Sequence, residues 1–158
     1  MDDKPVFKTD ETEPQDKRFL IDTNTLSEPL RPKPNNQVLA KIQHHQSEIA
    51  TAAQVLFEIT SGCYKLPDSK KHRTIRRYID EFILPNFPIL PYDEKAAAWH
   101  GKQHARLVAT GKTPPFIDGQ IAAIAKVNGL ILVTRNINDF KHFEGIKLEN
   151  WFGAEIGN

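Results

Sequence analysis

The chain is poor in the features that would make it disulfide-braced, secreted or membrane-embedded. It has one cysteine, Cys63, so no internal disulfide can form, and a reducing cytoplasm is the expected setting. Cys63 has no base with an evident pairing logic and reads as a small buried residue on a helix. No apolar run approaches the ~20 residues that span a bilayer, so no membrane partner is expected. The opening stretch MDDKPVFKTDETEPQDKR has no apolar h-region, so a secretory signal is not expected either. Net charge is also scarce, at +1, but that balance hides an asymmetry. Residues 1–16 carry Asp2, Asp3, Asp10, Glu11, Glu13 and Asp16 against Lys4 and Lys8, a net of −4. Residues 17–158 carry 19 bases and 14 acids, a net of +5. If several of those acids gather in one site, the remaining surface is more basic still. This permits a polyanionic partner without requiring one.

What is present suits a single globular domain. A chain of 158 residues, 39% apolar and 26% charged, can bury one proper core and not comfortably two. Residues 1–16, polar and acidic, read as a flexible arm, and residues 17–158 as the folded domain. The run Phe19, Leu20, Ile21, ending abruptly at Asp22, fits a strand buried on both faces. Short strands are also expected over 48–51, 87–90, 130–133 and 146–148. Between them lie helical patterns. The first is short, Thr23–Leu30, and is stopped by Pro29, Pro32 and Pro34. The next is capped by Asn35 or Asn36 and carries Val38, Leu39 and Ile42 on one face. Others span 52–64, 69–84 (capped by Ser69), 94–109 (capped by Asp93 and ended by Gly111), 116–127 and 137–141. Strands alternating with helices imply right-handed crossovers and a parallel α/β sheet.

The acids fall at telling places on that framework. Asp22 ends the first strand, and ligands bind at the carboxyl ends of strands in open α/β sheets. Asp139 lies just past the strand at 130–133, Asp118 in the first turn of the helix before it, and Glu58 in the helix after the second strand. Each has a dull explanation. Asp22 can cap the following helix, Asp118 gains from the helix dipole, and Asn136 with Asp139 resembles a capping pair. Glu58 is harder to dismiss, because it is the only charge in the apolar stretch Ile49–Gly62. Four carboxylates from four segments repel one another unless a cation neutralises them, and oxygen-only ligation favours Mg²⁺ or Mn²⁺.

Two other chemistries fit less well. An aspartyl phosphotransfer site of the haloacid-dehalogenase type wants a second Asp where Asn24 stands. A zinc helix from His100 and His104 lacks the intervening Glu, since Gly101 follows His100. Those histidines read as a polar helix face, and Trp99, Phe116 and Trp151 as core or interface packing.

The segments FLIDTNTLSEPLRP, TAAQVLFEITSG, FIDGQIAAIA and LVTRNINDF, in this order, resemble the PIN-domain family. The likeness is strongest to its VapC and FitB-like branch, the toxin half of bacterial toxin–antitoxin pairs, and spans about residues 18–152. It implies a three-layer α/β/α sandwich with a central parallel sheet, usually dimeric, and a Mg²⁺- or Mn²⁺-dependent ribonuclease site. On this chain the resemblance places the metal-binding, catalytic acids at Asp22, Glu58, Asp118 and Asp139. Thr23 and Asn24 match the first motif, and Thr134 and Asn136 match polar residues that support the fourth acid. Many relatives place an acid where this chain has Asn136; the FitB-like pattern has Asn there and the acid three residues later, as here. The expected substrate is RNA, transfer RNA included, and the expected partners are a VapB-like antitoxin and a second copy of the chain. The alternative is a FitB-like partner of a DNA-binding antitoxin, acting mainly as a regulatory complex with latent or no nuclease activity. The exposed basic series Lys70, Lys71, Arg73, Arg76 and Arg77 is a candidate seat for the RNA backbone, or simply a solvated helix face.

Overall fold

The computed structural model describes residues 16–153. The acidic arm expected over 1–16 lies outside them except for Asp16. Five parallel strands form one sheet in the order β3-β2-β1-β4-β5. They are β1 (Phe19–Ile21), β2 (Ile49–Ala52), β3 (Ile89–Leu90), β4 (Ile131–Val133) and β5 (Leu148–Glu149). Helices flank the sheet, giving the expected α/β/α arrangement. They are α1 (Thr23–Leu26), α2 (Asn36–His45), α3 (Ala53–Tyr64), α4 (Lys70–Tyr78), α5 (Leu84–Asn86), α6 (Glu94–Ala109), α7 (Phe116–Val127) and α8 (Ile137–Phe140).

β1 is the middle strand, and its burial explains its sequence. Phe19, Leu20 and Ile21 are all buried, because β2 and β4 pair on either side and helices cover both faces. Each fully buried Leu or Ile contributes roughly 1.5–3 kcal/mol by leaving water. Phe19 meets Trp151 edge-on at 5.1 Å between ring centroids, and Trp151 is 2% exposed. Trp151 is therefore core, as its sequence context suggests. The chain leaves β1 toward β2 and β3 on one side and returns to β4 and β5 on the other. That reversal makes the carboxyl ends of β1 and β4 the switch point, where open parallel sheets form the crevice that takes their ligands.

The caps follow sequence logic. The Asn35 side chain accepts from Gln37 N and Val38 N at 3.0 and 3.1 Å, Ser69 accepts from His72 N at 3.2 Å, and Asp93 accepts from Ala96 N at 2.9 Å. Gly129, at φ 67°, turns the chain out of α7 into β4.

Two helices differ from expectation, and proline is the reason in both. The helix expected over 23–30 is α1 followed by a 3₁₀ turn at Glu28–Leu30, with Pro29 inside the turn. The helix expected over 69–84 is α4, then a π-helical turn at Ile79–Ile83, then α5. Pro85 has no N–H to offer the carbonyl four residues back, and its ring crowds that carbonyl. The ladder widens to the longer bond from Leu84 N to Ile79 O.

A buried polar link joins α3 to α4. His72, 8% exposed, shares a hydrogen bond between its Nδ1 and Cys63 O at 2.8 Å, and Cys63 Sγ donates to His72 O at 3.4 Å. Cys63 is thus buried and free, in keeping with the bland reading of it. Among the described residues, no helix is long and apolar enough to cross a membrane.

Candidate metal centre

Asp22 leaves β1 at the crevice and serves two elements at once. Its Oδ1 accepts from Thr23 N at 2.7 Å, capping α1, and its Oδ2 accepts from Thr134 Oγ1 at 2.9 Å. The capping explanation is therefore correct and incomplete. Thr134, wholly buried, follows β4, so this bond ties together the two strand ends that bound the crevice. Thr134 Oγ1 in turn accepts from Asn136 N at 3.0 Å. Burial raises the Asp22 carboxyl above its usual range; the two hydrogen bonds partly offset this, and the charge on Asp139 adds to it. A carboxylate offers about four acceptor positions, so two remain on Asp22 for another ligand.

Glu58 reaches the same place from α3. Thr23 Oγ1 donates to Glu58 Oε1 at 3.0 Å, linking the first turn of α1 to the second turn of α3. Burial raises this carboxyl too; the Thr23 bond lowers it and the Asp22 charge raises it.

Asp118 shows that the four acids share one field. Its carboxyl is pushed up to about 6, first by burial and then by Asp22, Asp139 and Glu58 together. Asp139 stands exposed in α8, with its backbone N donating to Asn136 O at 3.0 Å. Asp118 thus lies within reach of the charges on the other three acids. Among the described residues, no three Asp, Glu, His or Cys side chains stand close enough to hold an ion as they lie. No ion pair joins any of the four to a cation among the described residues. Hard oxygen donors without a paired cation fit Mg²⁺ or Mn²⁺.

Sequence reading missed the support beneath Asp118. His100, expected on a polar face, is 3% exposed. Its Nδ1 lies 2.8 Å from Tyr92 Oη, and its ring packs against Gly119 on α7. A Cβ at Gly119 would collide with His100 Nε2, so only glycine lets α6 approach α7 this closely. The available signal was Gly119 itself, since glycine inside a helix costs about 1 kcal/mol relative to alanine and here sits beside an acid. Phe116, read as core or interface packing, lies outside the core. It is 60% exposed at the start of α7, because the buried face of that helix begins only at Gly119.

The remaining expected residues are spread more widely. Thr23 and Thr134 bond to carboxylates, Asn136 acts on Thr134 through its backbone, and Asn24 is exposed with no hydrogen bond to the four acids. Lys70, Lys71, Arg73, Arg76 and Arg77 lie on α4, and the face they form is largely solvated. Arg73 pairs with Asp68 at 3.1 Å and Arg77 with Glu81 at 3.9 Å, contacts ordinary for such a face.

The chain as a whole is similar to known proteins. The profile of the PIN domain family matches residues 19–146. Toxin FitB of Neisseria gonorrhoeae is 36% identical over 125 residues, covering 77% of this chain and 90% of that protein. The tRNA(fMet)-specific endonuclease VapC of Salmonella typhimurium is 28% identical over 134 residues, covering 85% and 98%. A structure of FitAB bound to an IR36 DNA fragment superposes with a TM-score of 0.79 at 31% identity, covering 89% of this chain and 99% of that one. With the five-stranded parallel sheet and the match across most of its length in agreement, the chain belongs to the PIN-domain family.

Proposed function

We propose that this chain is a metal-dependent endoribonuclease toxin that hydrolyses RNA phosphodiester bonds and is neutralised by a VapB-like antitoxin. The observation that carries the reading is Asp118, whose carboxyl feels Asp22, Asp139 and Glu58 together at the crevice between β1 and β4. The name of the Salmonella relative, a tRNA-specific endonuclease, supports RNA as the substrate class, and transfer RNA as the first substrate to try.

Asp22 and Asp118 would hold Mg²⁺ or Mn²⁺, with Glu58 and Asp139 joining directly or through water. A bound ion of this kind stabilises charge on a phosphate oxygen and makes water a better nucleophile near neutral pH. The chain's own part is orientation. Thr134 and Thr23 N fix the plane of the Asp22 carboxylate, and Thr23 Oγ1 fixes that of Glu58. Burial of Asp22 keeps bulk water from its oxygens, which strengthens its hold on a cation.

A protein partner has a surface to use. Leu56, Phe57 and Tyr64 line an apolar strip along α3, with Phe57 61% and Tyr64 62% exposed, which suits an antitoxin or a second copy of the chain. The free, buried Cys63 suits a reducing cytoplasm.

Incubation of the purified protein with RNA and Mg²⁺ or Mn²⁺ tests the reading. Cleavage that is lost in Asp22→Ala and Asp118→Asn supports it; cleavage that persists in EDTA or in both variants overturns it. The FitAB complex solved on DNA favours one second reading, a regulatory partner whose nuclease is latent. In that case the chain alone binds no operator DNA and cleaves no RNA, and a complex with its antitoxin shifts the operator.

A further inference from the structure

A groove of about 330 Å³ opens beside Asp139, and its lining is unlike the carboxylate crevice. Lys112, Pro114, Pro115 and His142 form one part of its wall, and Asn138 and Asp139 the other. The loop after α6 supplies the first wall. Gly111, at φ 81°, turns the chain, Lys112 N donates to Leu107 O at 2.8 Å, and Pro114 and Pro115 stiffen the approach to α7. Lys112 Nζ lies 3.1 Å from His142 Nδ1. An ammonium has three N–H groups, so this contact leaves two for another acceptor.

We propose that this groove seats a phosphate of the RNA strand next to the cleavage point, with Lys112 as its principal cation; the proposal rests on the nuclease reading above. The carboxylate crevice repels a polyanion, so a strand entering it needs positive charge close by. The five basic residues of α4 are not tied to the crevice by any hydrogen bond among the described residues, whereas Lys112 shares a groove with Asp139 itself. Positive charge is concentrated here. Desolvation and then Lys112, Lys141 and Arg106 hold the His142 imidazole below its usual range. A neutral imidazole can accept from Lys112 and so aim the ammonium. Arg106 pairs with Glu144 at 3.1 Å and donates to His142 O at 2.6 Å, and of Lys112, Lys141 and Arg106 only Lys112 lines the groove.

The test uses the full chain and a labelled single-stranded RNA oligonucleotide. In steady-state cleavage, Lys112→Ala is expected to raise KM about fivefold to tenfold with kcat within about twofold. In equilibrium binding, Asp118→Asn serves as the silent background and Lys112 is substituted on top of it. The salt slope of binding should fall by about one, the signature of one lost phosphate contact. Lys70→Ala with Lys71→Ala should leave KM and slope unchanged. If Lys112→Glu leaves both KM and slope at the wild-type values, the seat is wrong while the nuclease reading stands. If Lys112→Glu spares RNA but weakens binding of a poly-glutamate probe, the groove is a protein seat and the proposal falls. If the wild type cleaves nothing, yet binding to the silent protein still loses a unit of slope in Lys112→Ala, the seat stands and the nuclease reading falls. Lys112 is exposed, so these substitutions leave folding intact.

Discussion

Thr134 donates to Asp22 at 2.9 Å across a separation of 112 residues, and this single bond spans the crevice between the two strand ends that define the site. Thr134→Val keeps the shape of the side chain and removes the donor. Loss of such a supporting hydrogen bond typically lowers metal affinity or activity 10–100-fold. Titration calorimetry with Mn²⁺ and a cleavage assay should both show a loss in that range, while circular dichroism stays native. An unchanged affinity would mean that Thr23 N alone orients the carboxylate.

Gly119→Ala drives a methyl into His100. That collision cannot be relieved by a flexible chain end, because the ring is buried and held by Tyr92. Overpacking of this kind costs roughly 1–3 kcal/mol, and Tm should fall by about 3–10 °C on the scale of a domain this size. His100→Ser in the same chain should recover part of the loss. A thermal-melt double-mutant cycle measures that coupling, and strict additivity would show that the two residues do not meet.

The raised Asp118 carboxyl has a definite pH sign. Because its folded value, about 6, lies above the ordinary 3.8, the metal-free fold is favoured by the protonated form and loses that stability as pH rises through about 6. Asp118→Asn should therefore raise the Tm of the metal-free protein near neutral pH and lose that advantage below about 3.8. Divalent metal competes with the proton, so apparent Mn²⁺ affinity should fall as pH drops through about 6. Melting curves across pH, with and without Mn²⁺, read both effects; a Tm for Asp118→Asn below wild type at neutral pH would contradict the assignment.

His72→Ala removes the buried link between α3 and α4. Cys63 O still accepts from Leu66 N at 3.2 Å, so the lost hydrogen bond should cost about 0.5–1.5 kcal/mol, seen in urea denaturation, with kcat retained because no reacting group is touched. The same variant should expose Cys63 to thiol reagents at lower urea than wild type.

Much of this was legible in the residues themselves. The run Phe19–Ile21 ending at Asp22, and the caps Asn35, Ser69 and Asp93, are local signals, and the structure uses all of them as expected. What could not be read was tertiary. His100 and His104 recur at helical spacing and look alike, yet His100 is buried because Gly119, nineteen residues on, leaves room for it. Phe116 reads as core or interface packing, and it lies outside the core because it precedes the buried face of α7. The four acids could be ordered along the chain; their shared field at Asp118 is a matter of distance, which no spacing in sequence supplies.

The strand order carries a further consequence, for synthesis. β1 emerges early but is completed on one side only by β4, more than 100 residues later, and Thr134 and Asp139 arrive with or after β4. A ribosome making this chain thus exposes Asp22 and Glu58 long before the partners that would complete a cutting site. Fragments released before β4, by a premature stop or a broken message, lack the strand that pairs with β1 and, with it, Thr134 and Asp139.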